Sequence, residues 1–247
     1  MRYFGGKSRI AKEIADALYG RQNPLRAGNL LDNSGAGGGT FVSLFCGALS
    51  VECAVSESGA FERVIANDIH PYLIAMFRAL QNGWMPPTEV SLEQYRYVRD
   101  HKDEDPALTG FVGFGCSYGG KWFGGFARGK SENYANEAHN SLMRQLPHIK
   151  QMEFLRGDYR SVFIPDGATV YADPPYAGTT GYHGTGKFDG EAFWDYMRTL
   201  AKRGCRVFVS EQNAPEDFRC VWEKPVKRWI GNSDDNVFVV TERQYTL

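Results

Sequence analysis

An apolar run that halts at two prolines constrains this chain most: Ala168, Thr169, Val170, Tyr171 and Ala172 lead directly into Asp173-Pro174-Pro175-Tyr176. β-Branched and aromatic residues without polar alternation describe a strand covered on both faces, the habit of a parallel sheet. Neither Pro174 nor Pro175 has a backbone donor, so the ladder cannot continue through them. In an open α/β sheet, chemistry sits beyond the carboxyl ends of such strands. The side chains there suit a flat molecule carrying an amino group. Asp173 offers acceptor oxygens only, the prolines keep their carbonyls, and Tyr176 adds a flat ring.

Four more short apolar runs follow the same rule. Thr40 to Phe45 leads into Cys46-Gly47-Ala48 and a helix from about Ser50, and Arg63 to Ala66 ends in Asn67-Asp68. Met152 to Leu155 closes on Gly157-Asp158, and Arg206 to Ser210 forms a further core strand. A last run, 236–241, is expected to pair antiparallel. Between the strands lie helices with recognisable starts. Ser8 can cap Ile10, Ala11, Ile14, Ala15 and Leu18, with Gly20 ending that helix; Pro71 opens one with Leu73, Ile74, Met76, Phe77 and Leu80 on its apolar face. Ser91 and Gln94 form a capping box, Pro106 suits a helix start, and a helix is expected from Ser131 to about His148. Asp189 can cap Phe193, Trp194, Met197 and Leu200, with Gly204 after them. The fold class is therefore α/β: a Rossmann-like open sheet, mostly parallel with one antiparallel strand, interrupted by a mainly helical insertion.

With 247 residues and 43% hydrophobic content, the chain suits one large domain or one domain with a sizeable insertion. No signal-peptide core opens it and no run is apolar enough to span a bilayer, so a soluble cytoplasmic protein is expected. Five scattered cysteines, Cys46, Cys53, Cys116, Cys205 and Cys220, signal neither disulfides nor zinc and are expected to be reduced core residues. The net charge is −1, yet basic residues cluster: Arg2, Lys7, Arg9 and Lys12 near the start, then Lys121, Arg128, Lys130, Arg144, Lys150, Arg156 and Arg160. That distribution admits a nucleic-acid partner without demanding one.

Three features point to a ligand. Gly5-Gly6-Lys7 places a lysine at a helix N-terminus, where anions are favoured; a flexible start before a surface helix is the plainer reading. Gly47 makes a tight strand-to-helix turn of the kind a nucleotide approaches, and Asp68 follows about twenty residues later, the spacing of an acid that holds ribose hydroxyls. Asp68 can equally cap the next helix. Residues 110–130 interleave aromatics with glycine and basic residues, which fits either bases stacked on a basic surface or a loop packed on the core. Two glycine-dense stretches, 34–39 and 177–187, are expected to be loops, the second placed to fold over the site.

Taken in this order, the motifs resemble the Dam-like (alpha-group) adenine-N6 DNA methyltransferases of bacteria and phages, over nearly the whole chain. Tyr3-Phe4-Gly5-Gly6-Lys7 is similar to the family's amino-terminal cofactor motif, Phe45-Cys46-Gly47 to its Phe-x-Gly motif, and Asp173 to Tyr176 to its catalytic motif. Leu49 stands where a second glycine is often found. The resemblance implies S-adenosylmethionine as cofactor, held by Tyr3, Lys7, Phe45, Gly47, Asp68, Asp158 and Asp173, with no metal. It implies catalysis by Asp173, Pro174, Pro175 and Tyr176 on double-stranded DNA, by base flipping and in-line transfer, in a restriction-modification or regulatory setting. Residues 1–84 and 150–247 would form the catalytic domain. The insertion, 85–149, would read the target, with Lys121, Trp122, Arg128 and Lys130 against DNA. Rival readings are methylation of cytosine N4, an RNA base or a protein glutamine, or a non-catalytic DNA-binding relative.

Overall fold

The double proline does end a strand, and that strand lies in the middle of a sheet. The structure, a computed structural model, describes residues 1, 3, 5–18, 39–129, 133–175, 188–229 and 237–247. Seven strands are described: β1 (Thr40–Ser43), β2 (Arg63–Asp68), β3 (Met152–Arg156), β4 (Thr169–Ala172), β5 (Arg206–Ser210), β6 (Arg219–Trp229) and β7 (Val237–Thr246). Their order across the sheet is β3-β2-β1-β4-β5-β7-β6. The pairs β3–β2, β2–β1, β1–β4 and β4–β5 are parallel, whereas β7 runs antiparallel to both β5 and β6. One strand of seven thus opposes the rest, as expected of this fold class.

Seven α-helices are found among the described residues: α1 (Ala11–Leu18), α2 (Ser50–Ser58), α3 (Pro71–Gln81), α4 (Leu92–Asp100), α5 (Pro106–Gly110), α6 (Tyr134–Ile149) and α7 (Gly190–Lys202). The strands are apolar on both faces because helices cover both. Phe41, Tyr171 and Phe208 point into one cluster with α1, α2 and α3, while Val42, Val170, Val207 and Val209 point into the other with Phe193, Met197 and Leu200 of α7. Alternation at period two sorts each strand's residues between these two cores.

Several element ends differ from the sequence expectation. Residues 8–10 form turns and α1 begins at Ala11; Ile10, Ala11, Ile14, Ala15 and Leu18 are nonetheless all buried. Gly20 and Ser131 lie outside the described residues. α6 begins at Tyr134 and is capped by Asn133, whose side chain accepts from the Asn136 N–H at 3.0 Å. β1 stops at Ser43, β7 is longer than 236–241, and β6 is an addition that the sequence did not suggest. Pro225 and the charges of β6 look like loop, but β6 is the outermost strand, where proline and charge are tolerated. The capping box at Ser91 and Gln94 and the cap at Asp189 are both formed. Of the five cysteines, Cys220 is exposed on β6 and so is not a core residue; the register of β6 shifts between Cys220 and Trp222, so Cys220 does not share the inward face that buries Trp222.

The glycine and aromatic stretch is folded inward. Phe111–Gly115 forms a π-helical turn continuing α5, with Phe111, Val112 and Phe114 buried. Trp122 is half-buried, 4.2 Å from the His70 ring, stacked with Tyr72 at 5.5 Å and 13°, and 4.8 Å from Phe114. Gly113 makes this possible, since a Cβ there would lie 2.2 Å from Trp122 Cζ3. Apolar residues of 85–149, among them Tyr95, Phe111, Leu142 and Ile149, share one cluster with Phe41 and Tyr171 of the sheet. No helix among the described residues is long and apolar enough to cross a membrane.

Candidate active site

The strand order reverses between β1 and β4, the place where open α/β sheets bind ligands. Beyond the carboxyl ends of these strands lie the turn after β1, Asp68 at the end of β2, and Asp173 after β4. Gly47 has φ +47°, and a Cβ on it would lie 2.9 Å from Tyr3 Cε1. A bare backbone is therefore required on two grounds. The Tyr3 ring is packed between that turn and Phe114, 5.0 Å away. Leu49 adopts φ 62°, ψ 28°, a left-handed conformation costing a non-glycine residue roughly 1–3 kcal/mol. Its fully buried side chain offsets that strain, so the turn keeps a glycine-like shape without the second glycine.

Asp68 is buried and takes part in holding the turn. Its Oδ2 accepts from the Gly47 N–H at 3.0 Å and its Oδ1 from the His70 N–H at 2.9 Å. Burial raises its carboxyl above the ordinary range, opposed by those backbone donors. Next to it, Asn67 donates to the carbonyls of Leu44 at 3.0 Å and Gly157 at 3.1 Å, which ties the ends of β1, β2 and β3 together. Asp158 lies beyond β3, where Arg160 grips it through Nε at 2.9 Å and Nη2 at 3.0 Å; the guanidinium lowers its carboxyl pKa. Phe45 packs away from this turn, against Tyr159, Phe188 and Phe193 in the opposite core.

Lys7 occupies the centre of the site. The turn that carries it has Gly5 at φ +81° and closes with the Gly6 N–H donating to the Tyr3 carbonyl at 3.0 Å. Its side chain, 4% exposed, reaches Asp173 Oδ1 at 3.0 Å and Glu242 Oε2 at 3.5 Å. Thus a residue expected to serve the cofactor is joined directly to Asp173. Pro174 is buried and Pro175 half-buried, while Tyr176 and Lys130 lie outside the described residues, as does 177–187. Lys121 and Arg128 are exposed, with the Arg128 guanidinium 5.5 Å from the Phe126 ring centroid. An open cavity of about 250 Å³ lies beside this region, lined by Met1, Tyr3, Gly6, Ser8, Ser50 and Gly119.

Sequence reasoning did not single out three further acids. Glu242 projects from β7. Glu211 follows β5 and is pushed up to about 7, by burial first and then by the charges of Asp173 and Glu242, against the Gln212 N–H and Lys7. Glu52 of α2 is buried and accepts from the Ser43 hydroxyl at 2.6 Å. None stands in a local motif; only the placement of Glu211 directly after a strand, or of Glu52 on an apolar helix face, could have drawn attention, whereas Glu242 lies inside β7.

Burial pushes the Glu52 carboxyl from 4.5 up to about 8, with Asp173 and Asp68 adding to the effect and the Ser43 hydroxyl opposing it. The folded chain therefore keeps this proton after the unfolded chain has released it. Stability contributed here falls as pH rises from about 4.5 towards 8, with a slope approaching about 1.4 kcal/mol per pH unit. Urea unfolding of Glu52→Gln across that window is expected to show a flatter pH dependence and higher stability than wild type near pH 8. A slope equal to that of wild type would contradict the buried neutral carboxyl.

Residues 3–111 match the D12 class N6 adenine-specific DNA methyltransferase family. Among solved structures, the chain is similar to the crystal structure of SMU.472, described as "a putative methyltransferase complexed with SAH". The two are 11% identical, with 98% of this chain and 53% of that chain covered, at a TM-score of 0.36. This chain spans about half the length of that structure.

Proposed function

We propose, from the match of residues 3–111 to the D12 class N6 adenine-specific DNA methyltransferase family, that the chain methylates the exocyclic N6 amine of adenine in double-stranded DNA, using S-adenosylmethionine. The observation that carries the proposal is the position of Asp173: at the carboxyl end of central strand β4, beside the reversal of strand order, with the Gly47 turn and Asp68 ending the two strands to one side.

The residues present suit such a cofactor. Gly47 leaves its backbone bare beneath the Tyr3 ring, and the Asp68 carboxylate retains lone pairs beyond the two it gives to backbone N–H groups. Tyr3, Gly47 and Asp68 would hold it, with Phe45 and Asp158 at the margins. Bound, it supplies a methyl group on a cationic sulfur. The chain's own task is to make a poor nucleophile adequate. Adenine's amine is weak because its lone pair is delocalised into the ring. Hydrogen bonds from both its N–H groups, to Asp173 and to the Pro174 carbonyl, favour a pyramidal nitrogen and localise that pair. Positioning then supplies much of the rate. The base must leave the duplex, at a cost of a few kcal/mol, and stacking on Tyr176 would offset about 1–3 kcal/mol of it. Target recognition is assigned to 85–149, with Lys121, Arg128 and Lys130 on phosphates. Trp122 would act there mainly as the packed support of that surface, given its contacts with His70, Tyr72 and Phe114.

Labelled methyl transfer to duplex DNA, followed by digestion to nucleosides, tests the proposal. Label in N6-methyldeoxyadenosine is expected. Label confined to cytosine, to RNA or to protein would replace it with one of the rival readings. Gly47→Ala is expected to destabilise the chain by about 1–3 kcal/mol, through positive φ and the clash with Tyr3. It should also weaken S-adenosylhomocysteine binding in calorimetry. Wild-type stability and affinity would show that the turn does not have to be bare.

A further inference from the structure

Glu242 is far from Asp173 in the chain, yet the two carboxylates share one ammonium. The register explains how. β7 pairs with β5 through Thr246, Tyr245 and Gln244, the last opposite Ser210 at the end of β5. Continuing backwards, β7 overshoots that end, and Glu242 stands two residues beyond it, on the same face as Gln244. It therefore arrives where the sheet carries its chemistry, not where it packs. Its side chain is 6% exposed and within 3.5 Å of Lys7 Nζ, which is 3.0 Å from Asp173.

A buried lysine needs an anionic partner, and Asp173 alone would supply one. A second buried carboxylate is costly unless it has a task of its own. In the proposed reaction Asp173 must accept a hydrogen bond from the incoming amine. An ammonium held tightly on the same carboxylate withdraws the charge that makes it a good acceptor. Resting on the function proposed above, we propose that Glu242 is a positioning residue that receives the Lys7 ammonium when Asp173 turns to the substrate amine. Lys7 then stays charged and paired throughout, and Asp173 is released as an acceptor. The step is a shift of one hydrogen-bonding ammonium between two carboxylates, with no proton transferred.

The test is a set of three chains, wild type, E242Q and K7M/E242Q, assayed for kcat at saturating cofactor on adenine-containing duplex DNA, with S-adenosylhomocysteine affinity and urea stability measured alongside. E242Q leaves Lys7 on Asp173, so kcat is expected to fall roughly 100-fold, the scale of a misplaced reacting group, with cofactor affinity within about threefold of wild type. K7M/E242Q removes the ammonium that would otherwise stay on Asp173, and is expected to be at least about tenfold faster than E242Q. A merely structural role for Glu242 predicts the opposite order, because a second buried substitution compounds the first. Equal activity of wild type and E242Q, or a double variant slower than E242Q, would overturn the inference while leaving the methyltransferase reading intact. A wild-type chain that methylates no adenine would overturn that reading and this inference together.

Discussion

On the proposed reaction, replacing Asp173 with alanine is expected to lower methyl transfer at least about 100-fold without unfolding the chain. The loss falls on the transition state. The amine of adenine binds to no charge in its resting form, and the acceptor matters most as its nitrogen becomes pyramidal. Accordingly kcat should drop far more than affinity for DNA. Stability should be preserved for a reason specific to this site. The Lys7 ammonium also contacts Glu242, so removing Asp173 leaves that buried contact in place. Labelled-methyl assays beside urea unfolding check both halves. Wild-type turnover by Asp173→Ala would refute the role of Asp173, whereas an unfolded variant would show that Glu242 cannot hold Lys7 alone.

The parts of this arrangement that sequence could deliver are those written locally. The β4 run and its two prolines announce a buried strand and its end, because neither property depends on a distant partner. The same holds for Ser91 with Gln94, and for Asp189, whose side chain accepts from the Ala192 N–H at 3.1 Å. Gly47 and Asp68 were legible through spacing, and the structure adds that they bond to each other. Trp122 shows where legibility stops. An aromatic ring among glycines and basic residues fits a base-stacking surface and a packed loop equally well, and only the fold reveals that Gly113 opens a space for the indole beside His70 and Phe114. Glu242 was invisible for a related reason. Within β7 it is one charge in an edge-proximal strand, and its meaning depends on how far β7 runs past the end of β5. That overshoot is set by pairing across the sheet, not by any residue near Glu242.

Removing the lysine alone should produce the largest change in stability. In Lys7→Met the carboxylates of Asp173 and Glu242 lose the ammonium that both contact, and Glu242 is almost completely buried. Breaking a buried ion pair by deleting one member costs about 3–5 kcal/mol, because the remaining charge stays desolvated. Here two like charges remain, with Glu211 close enough to feel both. The chain is expected to unfold at markedly lower urea near neutral pH and to regain stability on acidification, which lessens the charge repulsion in the site. S-adenosylhomocysteine should also bind more weakly, since Lys7 follows the turn that sets Tyr3 against Gly47. Adding E242Q to Lys7→Met should recover much of the lost stability at neutral pH, because a neutral amide no longer needs the cation. Should Lys7→Met be as stable as wild type across pH, the two acids would have to be neutral or solvated in the folded chain, and the shared ammonium could not be what organises the site.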